Sequence, residues 1–217
     1  DDAVINRYGS STLNIRNGGM VDVSHSIRLG AQLNASSTVS QINIDDGILN
    51  IGDELRLGWV DNAGTHNMDM TDGEVNIIND FYIGVPNDTY ARFQFDGGTV
   101  NVGGCIYIGS EENDQVDMTG NAKLIIDGYS YDIINNLIAE GKLTAYGGNG
   151  SFNIDYNSVT TVITVNEYPI IQGDLNDDFK VNLTDQSILS GMWNPRIIPD
   201  NDHLRVHYTF DETEGAI

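Results

Sequence analysis

The sequence predicts an all-β chain organised as a right-handed parallel β-helix, with three strands per coil, about five coils, a short capping helix and a small tail of different character. Three observations lead there. Four segments end alike, in Ile27-Arg28-Leu29-Gly30, Leu55-Arg56-Leu57-Gly58, Phe81-Tyr82-Ile83-Gly84 and Ile106-Tyr107-Ile108-Gly109, and their glycines fall 28, 26 and 25 residues apart. That spacing is the length of one solenoid coil. Within each interval three alternating apolar stretches recur in a fixed order, and turn-forming residues separate them.

The first stretch of successive coils carries the pairs Leu13/Ile15, Ile42/Ile44, Met68/Met70, Phe93/Phe95 and Val116/Met118. The second carries Val21/Val23, Leu49/Ile51, Val75/Ile77, Val100/Val102 and Leu124/Ile126, and the third Ile27/Leu29, Leu55/Leu57, Phe81/Ile83 and Ile106/Ile108. Strand side chains alternate between faces, so each pair directs two apolar residues inward and the residue between them outward. Three such strands per coil form a prism. Its first corner requires tight turns, which Gly18-Gly19, Asp46-Gly47, Asp72-Gly73, Gly97-Gly98 and Gly120-Asn121 accommodate through positive φ. Antiparallel hairpins packed as a sandwich are the competing arrangement, because many gaps are of hairpin length. A sandwich does not require one three-part order every ~25 residues.

The repeat fades after Gly128. Ile133, Ile134, Leu137 and Ile138 then share a helical face, with Asp132 as the expected N-cap and Gly141 as the stop, predicting a helix that covers the open end of the stack. Strand-like runs around Leu143 to Tyr146 and Val159 to Val165 are expected to complete the last coil and close the end.

Composition bounds the partners. Thirty-two acidic and ten basic residues among 217 give a formal charge of -22, which disfavours nucleic acid and anionic membrane surfaces. No stretch is apolar enough to span a membrane. The abundant Asp and Asn suit calcium, a cation that takes oxygen ligands. Cys105 is the sole cysteine, so packing or metal rather than an intramolecular disulfide must hold the fold. The opening Asp1-Asp2-Ala3-Val4 does not resemble a signal peptide, and the chain stops just after a strand-like run, so it reads as a processed fragment of a longer protein.

After Glu167-Tyr168-Pro169 comes a loop in which Asp174, Asn176, Asp178, the Lys180 carbonyl, Asn182 and Asp185 occupy positions one, three, five, seven, nine and twelve of EF-hand spacing. Ile188, Leu189, Met192 and Trp193 then form a helical apolar face. This calcium-loop and helix tail resembles the type I dockerin repeat of secreted polysaccharide-degrading systems. Phe179 stands where that loop usually has Gly, and one loop is found where a cohesin-binding dockerin has two. The resemblance implies calcium as cofactor and a cohesin-like partner. The stretch from His203 to Gly215 is similar to the opening strand of a laminin-G-like or concanavalin-like lectin module. The expected domains are thus a β-helix with its capping helix at 1–166, the dockerin-like unit at 167–199 and a truncated lectin-like start at 200–217. Such an order is similar to that of exported bacterial proteins that handle polysaccharide, and implies a secreted or cell-surface-attached, non-catalytic polysaccharide-binding module.

The outward residues of the third strand, Arg28, Arg56, Tyr82 and Tyr107, form a column on one flat face, with Trp59 and Tyr90 as candidate extensions. Aromatic rings stack on sugar faces and arginine bridges hydroxyls or carboxylates, so this column is the candidate carbohydrate-binding strip. A tyrosine ladder also stabilises a sheet without binding anything, as in a structural spacer or adhesin stalk. The other outward columns, Asp22, Asn50, Asn76 and Asn101, and Asn14, Asn43, Asp69, Gln94 and Asp117, read as solvated polar ladders. A β-helix lyase or hydrolase would need paired carboxylates or a perturbed base. Asp45-Asp46, Asp53-Glu54, Glu111-Glu112, Arg28 and Arg56 are available but form no recognisable constellation. His25, His66, His203 and His207 show no metal-ligand pattern, and Cys105 reads as a packing residue.

Overall fold

The computed structural model describes residues 2–5, 9–30, 39–58, 64–85 and 90–166. The expected units at 167–199 and 200–217 lie outside them, as does Trp59. The chain opens on a short strand that the repeat did not announce, β1 (Ala3–Ile5), and then winds through successive coils. The first coil is β2 (Ser11–Arg16), β3 (Met20–Val23) and β4 (Ile27–Leu29), and the second is β5 (Val39–Asp45), β6 (Gly47–Ile51) and β7 (Leu55–Leu57). The third is β8 (Thr65–Met70), β9 (Gly73–Ile77) and β10 (Phe81–Ile83), and the fourth is β11 (Tyr90–Phe95), β12 (Thr99–Val102) and β13 (Ile106–Ile108). The fifth begins with β14 (Gln115–Met118) and β15 (Lys123–Asp127), and its third position is taken by the helix α1 (Tyr131–Ala139).

Three sheets result, and each gathers one strand per coil. Sheet A runs β1-β4-β7-β10-β13, sheet B contains β14-β11-β8-β5-β2, and sheet C contains β15-β12-β9-β6-β3, all paired in parallel within these stacks. The register is the one the sequence pairs imply: Ile42 opposes Met68 and Met68 opposes Phe93, while Leu49 opposes Val75 and Leu55 opposes Phe81. These side chains are almost wholly buried. Inside the prism Phe93 stacks on Phe95 at 5.1 Å and meets Phe81 at 5.8 Å. Each large apolar side chain withdrawn this far from water contributes about 1.5–3 kcal/mol.

Corner chemistry follows the same plan. Gly18, Asp46, Gly73, Gly98 and Gly120 all have positive φ, one from each pair expected to turn the first corner. Gly73 has no alternative, because with φ +106 a β-carbon there would also lie 2.2 Å from the Gly47 carbonyl oxygen.

The C-terminal end departs from the expected completion. β16 (Leu143–Ala145) does extend sheet B, pairing in parallel with β14, but the chain then turns at Tyr146–Gly148. A hairpin of β17 (Phe152–Tyr156) and β18 (Thr160–Val165) follows, and β18 lies antiparallel against β15 with β17 outside it. Sheet C is therefore closed by a reversal of chain direction rather than by another coil. Asn157 fixes the reversal, its side-chain oxygen accepting the backbone N–H of Val159 at 3.0 Å and of Thr160 at 2.9 Å.

The helix is displaced from its expected cap. Ser130, not Asp132, is the N-cap residue, and Asp132 falls in the first turn, where a carboxylate favours the positive end of the helix dipole. Ile134 and Leu137 enter the core and Ile138 packs against it, whereas Ile133 is 42 % exposed. At 100° per residue Ile133 sits at the edge of that stripe. Gly141, at φ +70, ends the helix as its residue type suggested.

Candidate functional site

Sheet A presents Val4, Arg28, Arg56, Tyr82 and Tyr107 as one outward column, paired residue by residue from β1 to β13. Parallel strands lie about 4.8 Å apart, so like positions stack. The rings of Tyr82 and Tyr107 are 4.9 Å apart and 12° from parallel. On the opposite side of this pair, the Arg56 guanidinium carbon lies 3.9 Å from the Tyr82 centroid, within cation–π range.

Carboxylates hold the polar ends of the ladder. Arg56 donates from Nε and Nη2 to Glu54 at 2.8 and 2.7 Å, the Tyr82 hydroxyl donates to Asp80 at 2.9 Å, and Arg28 pairs with Asp2 at 2.8 Å. Burial, followed by the bond to Asp80, pushes the Tyr82 phenol up to about 12. Tyr107 ends the ladder and is 43 % exposed. Its phenol is also raised, first by the hydrogen bond with the Cys105 side chain and then by the charges of Cys105 and Asp80. Cys105 is half-buried, with its N–H donating to Asp80 at 2.8 Å.

Tyr90 is placed differently from the other candidates. It is the first residue of β11, opposite Thr65, and therefore belongs to sheet B rather than to the sheet A column. The calcium-ligand candidates Asp174, Asn176, Asp178, Lys180, Asn182 and Asp185 lie outside the described residues. Among the described residues, no group of three or more His, Cys, Asp or Glu is arranged to hold a metal ion.

The polar columns are hydrogen-bonded ladders. On sheet C, Asn101 donates to Asn76, Asn76 to Asn50 and Asn50 to Asp22, at 2.8, 2.9 and 2.6 Å. On sheet B, Asn43 donates to Asn14 at 2.8 Å. Asp117, expected outside, is only 5 % exposed, because the turn at Tyr146–Gly148 folds over it and the Gly147 N–H donates to it at 2.8 Å. The carboxylate pairs serve the scaffold: Asp53 accepts from Asn79 and Ser26, which hold its carboxyl below the usual range, and Glu54 is engaged by Arg56.

Two titratable groups are enclosed at the corner between sheets A and B. His66 is fully buried, its Nδ1 is 3.3 Å from Ser40 Oγ, and desolvation lowers it to about 4. Gly30 makes room for it, since a β-carbon there would lie 2.1 Å from the ring. Asp114 is raised to about 6 by burial, against the opposing effect of the Ala91 and Glu111 backbone N–H groups that donate to it at 2.9 and 3.2 Å. His25 is exposed beside Ser24. The chain matches no family model, no curated protein and no solved structure.

Proposed function

We propose that the solenoid is a non-catalytic polysaccharide-binding module of a secreted, carbohydrate-active multidomain protein, with sheet A as the face that meets the glycan. The observation that carries this reading is the in-register ladder of Arg28, Arg56, Tyr82 and Tyr107. A linear glycan is itself a repeat, and the ladder offers it ring, hydroxyl and guanidinium at strand spacing. Tyr107 supplies the exposed ring for a sugar face. Arg56 and Tyr82 supply polar edges, with Glu54 and Asp80 beside them as acceptors for sugar hydroxyls. In the same reading the loop from Asp174 to Asp185 binds calcium and offers a cohesin-like partner a docking element, and residues 200–217 begin a lectin-like module.

Affinity electrophoresis through gels containing plant and algal polysaccharides tests the proposal. Retardation on at least one polysaccharide is expected, and Tyr107→Ala should weaken it several-fold, in line with about 1 kcal/mol for an aromatic contact. Equal mobility of wild type and variant in every gel would remove the support for sheet A. A parallel assay for unsaturated ends absorbing in the ultraviolet addresses the lyase alternative, and no product is expected.

One observation favours a second reading, a structural spacer or adhesin stalk. Both faces of Tyr82 are covered, by Arg56 and by Tyr107, and Arg28 and Arg56 are paired with carboxylates. A spacer shows no glycan retardation at all, while Tyr82→Ala still lowers its stability.

A further inference from the structure

The sheet A arginines are neutralised by their neighbours, whereas Arg92 on sheet B meets no carboxylate among the described residues. Its Nη2 donates to the Gln94 amide oxygen at 2.8 Å. Arg16 on β2 is likewise held by a neutral amide, that of Asn14 at 3.2 Å, so what sets Arg92 apart is its position. Arg92 lines an open groove of about 330 Å³ with Thr65, Asn67, Tyr90, Asn113 and Gln115, over the buried Ala91, and among the described residues it is the one charged side chain in that lining.

The fold builds this groove in register. Asn67, Arg92 and Gln115 oppose one another across β8, β11 and β14, and Thr65 opposes Tyr90. Tyr90 is 42 % exposed. The nearby Asp114 carboxylate lies beneath the surface and is occupied by the Ala91 and Glu111 N–H groups. The groove thus joins an accessible ring, amide and hydroxyl groups, and a guanidinium free to form a bidentate pair with an oxyanion.

We infer that this groove is a second ligand site, separate from the sheet A ladder, and that it takes an acidic sugar residue whose carboxylate or sulfate pairs with Arg92 while its ring lies against Tyr90. The inference rests on the glycan reading for its class of ligand and not for its position. The chain's net charge opposes long polyanions, so recognition is local and favours a short acidic oligosaccharide. At physiological salt, charges more than about 8 Å away are largely screened.

Calorimetric titration of the full chain at physiological salt, with a chelator present to prevent calcium bridging, tests the assignment. The probes are tetragalacturonic acid, a sulfated carrageenan tetramer and neutral cellotetraose. At least one acidic probe is expected to bind, the carboxylate and sulfate arms identifying which anion is preferred. Arg92→Gln should weaken that binding about tenfold, equivalent to 1.4 kcal/mol. Arg92→Lys should fall between, Tyr90→Ala should weaken it, and Arg16→Gln, which removes an exposed charge on β2 outside the groove, should leave it unchanged, with Tyr107→Ala titrated beside them to report on sheet A. Thermal unfolding of each variant checks that the fold persists, and Arg92→Lys carries the test if Arg92→Gln does not fold. Failure of both acidic probes to bind overturns the inference, as does acidic binding indifferent to Arg92. Loss in Tyr107→Ala alone, or binding of cellotetraose alone, overturns the groove while leaving the sheet A reading standing.

Discussion

His66 and Asp114 bring opposite acid–base behaviour to one interior corner. His66 is depressed to about 4 from 6.5, so its contribution to stability is complete above pH 6.5 and is lost as pH falls through 4. Asp114 is raised to about 6 from 3.8, so its contribution is complete below pH 3.8 and is lost as pH rises through 6. Urea unfolding at pH 4, 5, 6 and 7 separates the two. His66→Ala should be less stable at pH 7, because it leaves a cavity, yet lose less than wild type between pH 6.5 and 4. Asp114→Asn should remove the loss of stability that Asp114 causes between pH 4 and 6. The inward placement of His66 was legible in the sequence, since it continues the alternation of Met68 and Met70. Asp114 was not, because it lies just before β14 at the end of an irregular turn. Arg92 was also visible as an outward residue beside Phe93, but its pairing with Gln94 rather than with a carboxylate of the described residues depends on three-dimensional neighbours.

At the scale of the element, the strand order and register were legible because alternation fixes which residues face inward and the glycine spacing fixes the coil. Alternation does not encode direction, however, because parallel and antiparallel strands share the period of two. That is why the β17–β18 hairpin escaped the sequence reading. The three residues of β1 are too few to show a period at all. The corners respond sharply to substitution. Gly73→Ala combines an unfavourable φ with a clash against Gly47, and should cost roughly 1–3 kcal/mol in urea unfolding. Gly18→Ala, with positive φ but open space around its β-carbon, should cost about 1 kcal/mol or less. In the core, Phe93→Ala should cost about 3–5 kcal/mol, since Phe81 and Phe95 cannot both close the gap.

For the whole molecule, each coil is stabilised by its neighbours, so the ends of the stack carry the greatest exposure to unwanted pairing. α1 and the β17–β18 hairpin cover the C-terminal end, and a chain ending at Gly128 should associate through the uncovered edges of β14 and β15. Light scattering against a chain ending at Asn166 would show it. The sequence made the prism and the sheet A column visible as a repeat, but it did not show that sheet B holds a groove whose arginine meets no carboxylate among the described residues. We propose that this scaffold holds glycan without cleaving it. Affinity electrophoresis of the wild-type chain across neutral and acidic polysaccharides, with an ultraviolet product assay on the same samples, tests it most directly. Retardation by at least one polysaccharide, weakened in Tyr107→Ala and without product, is the predicted result; free migration through every gel, or the appearance of unsaturated ends, contradicts it.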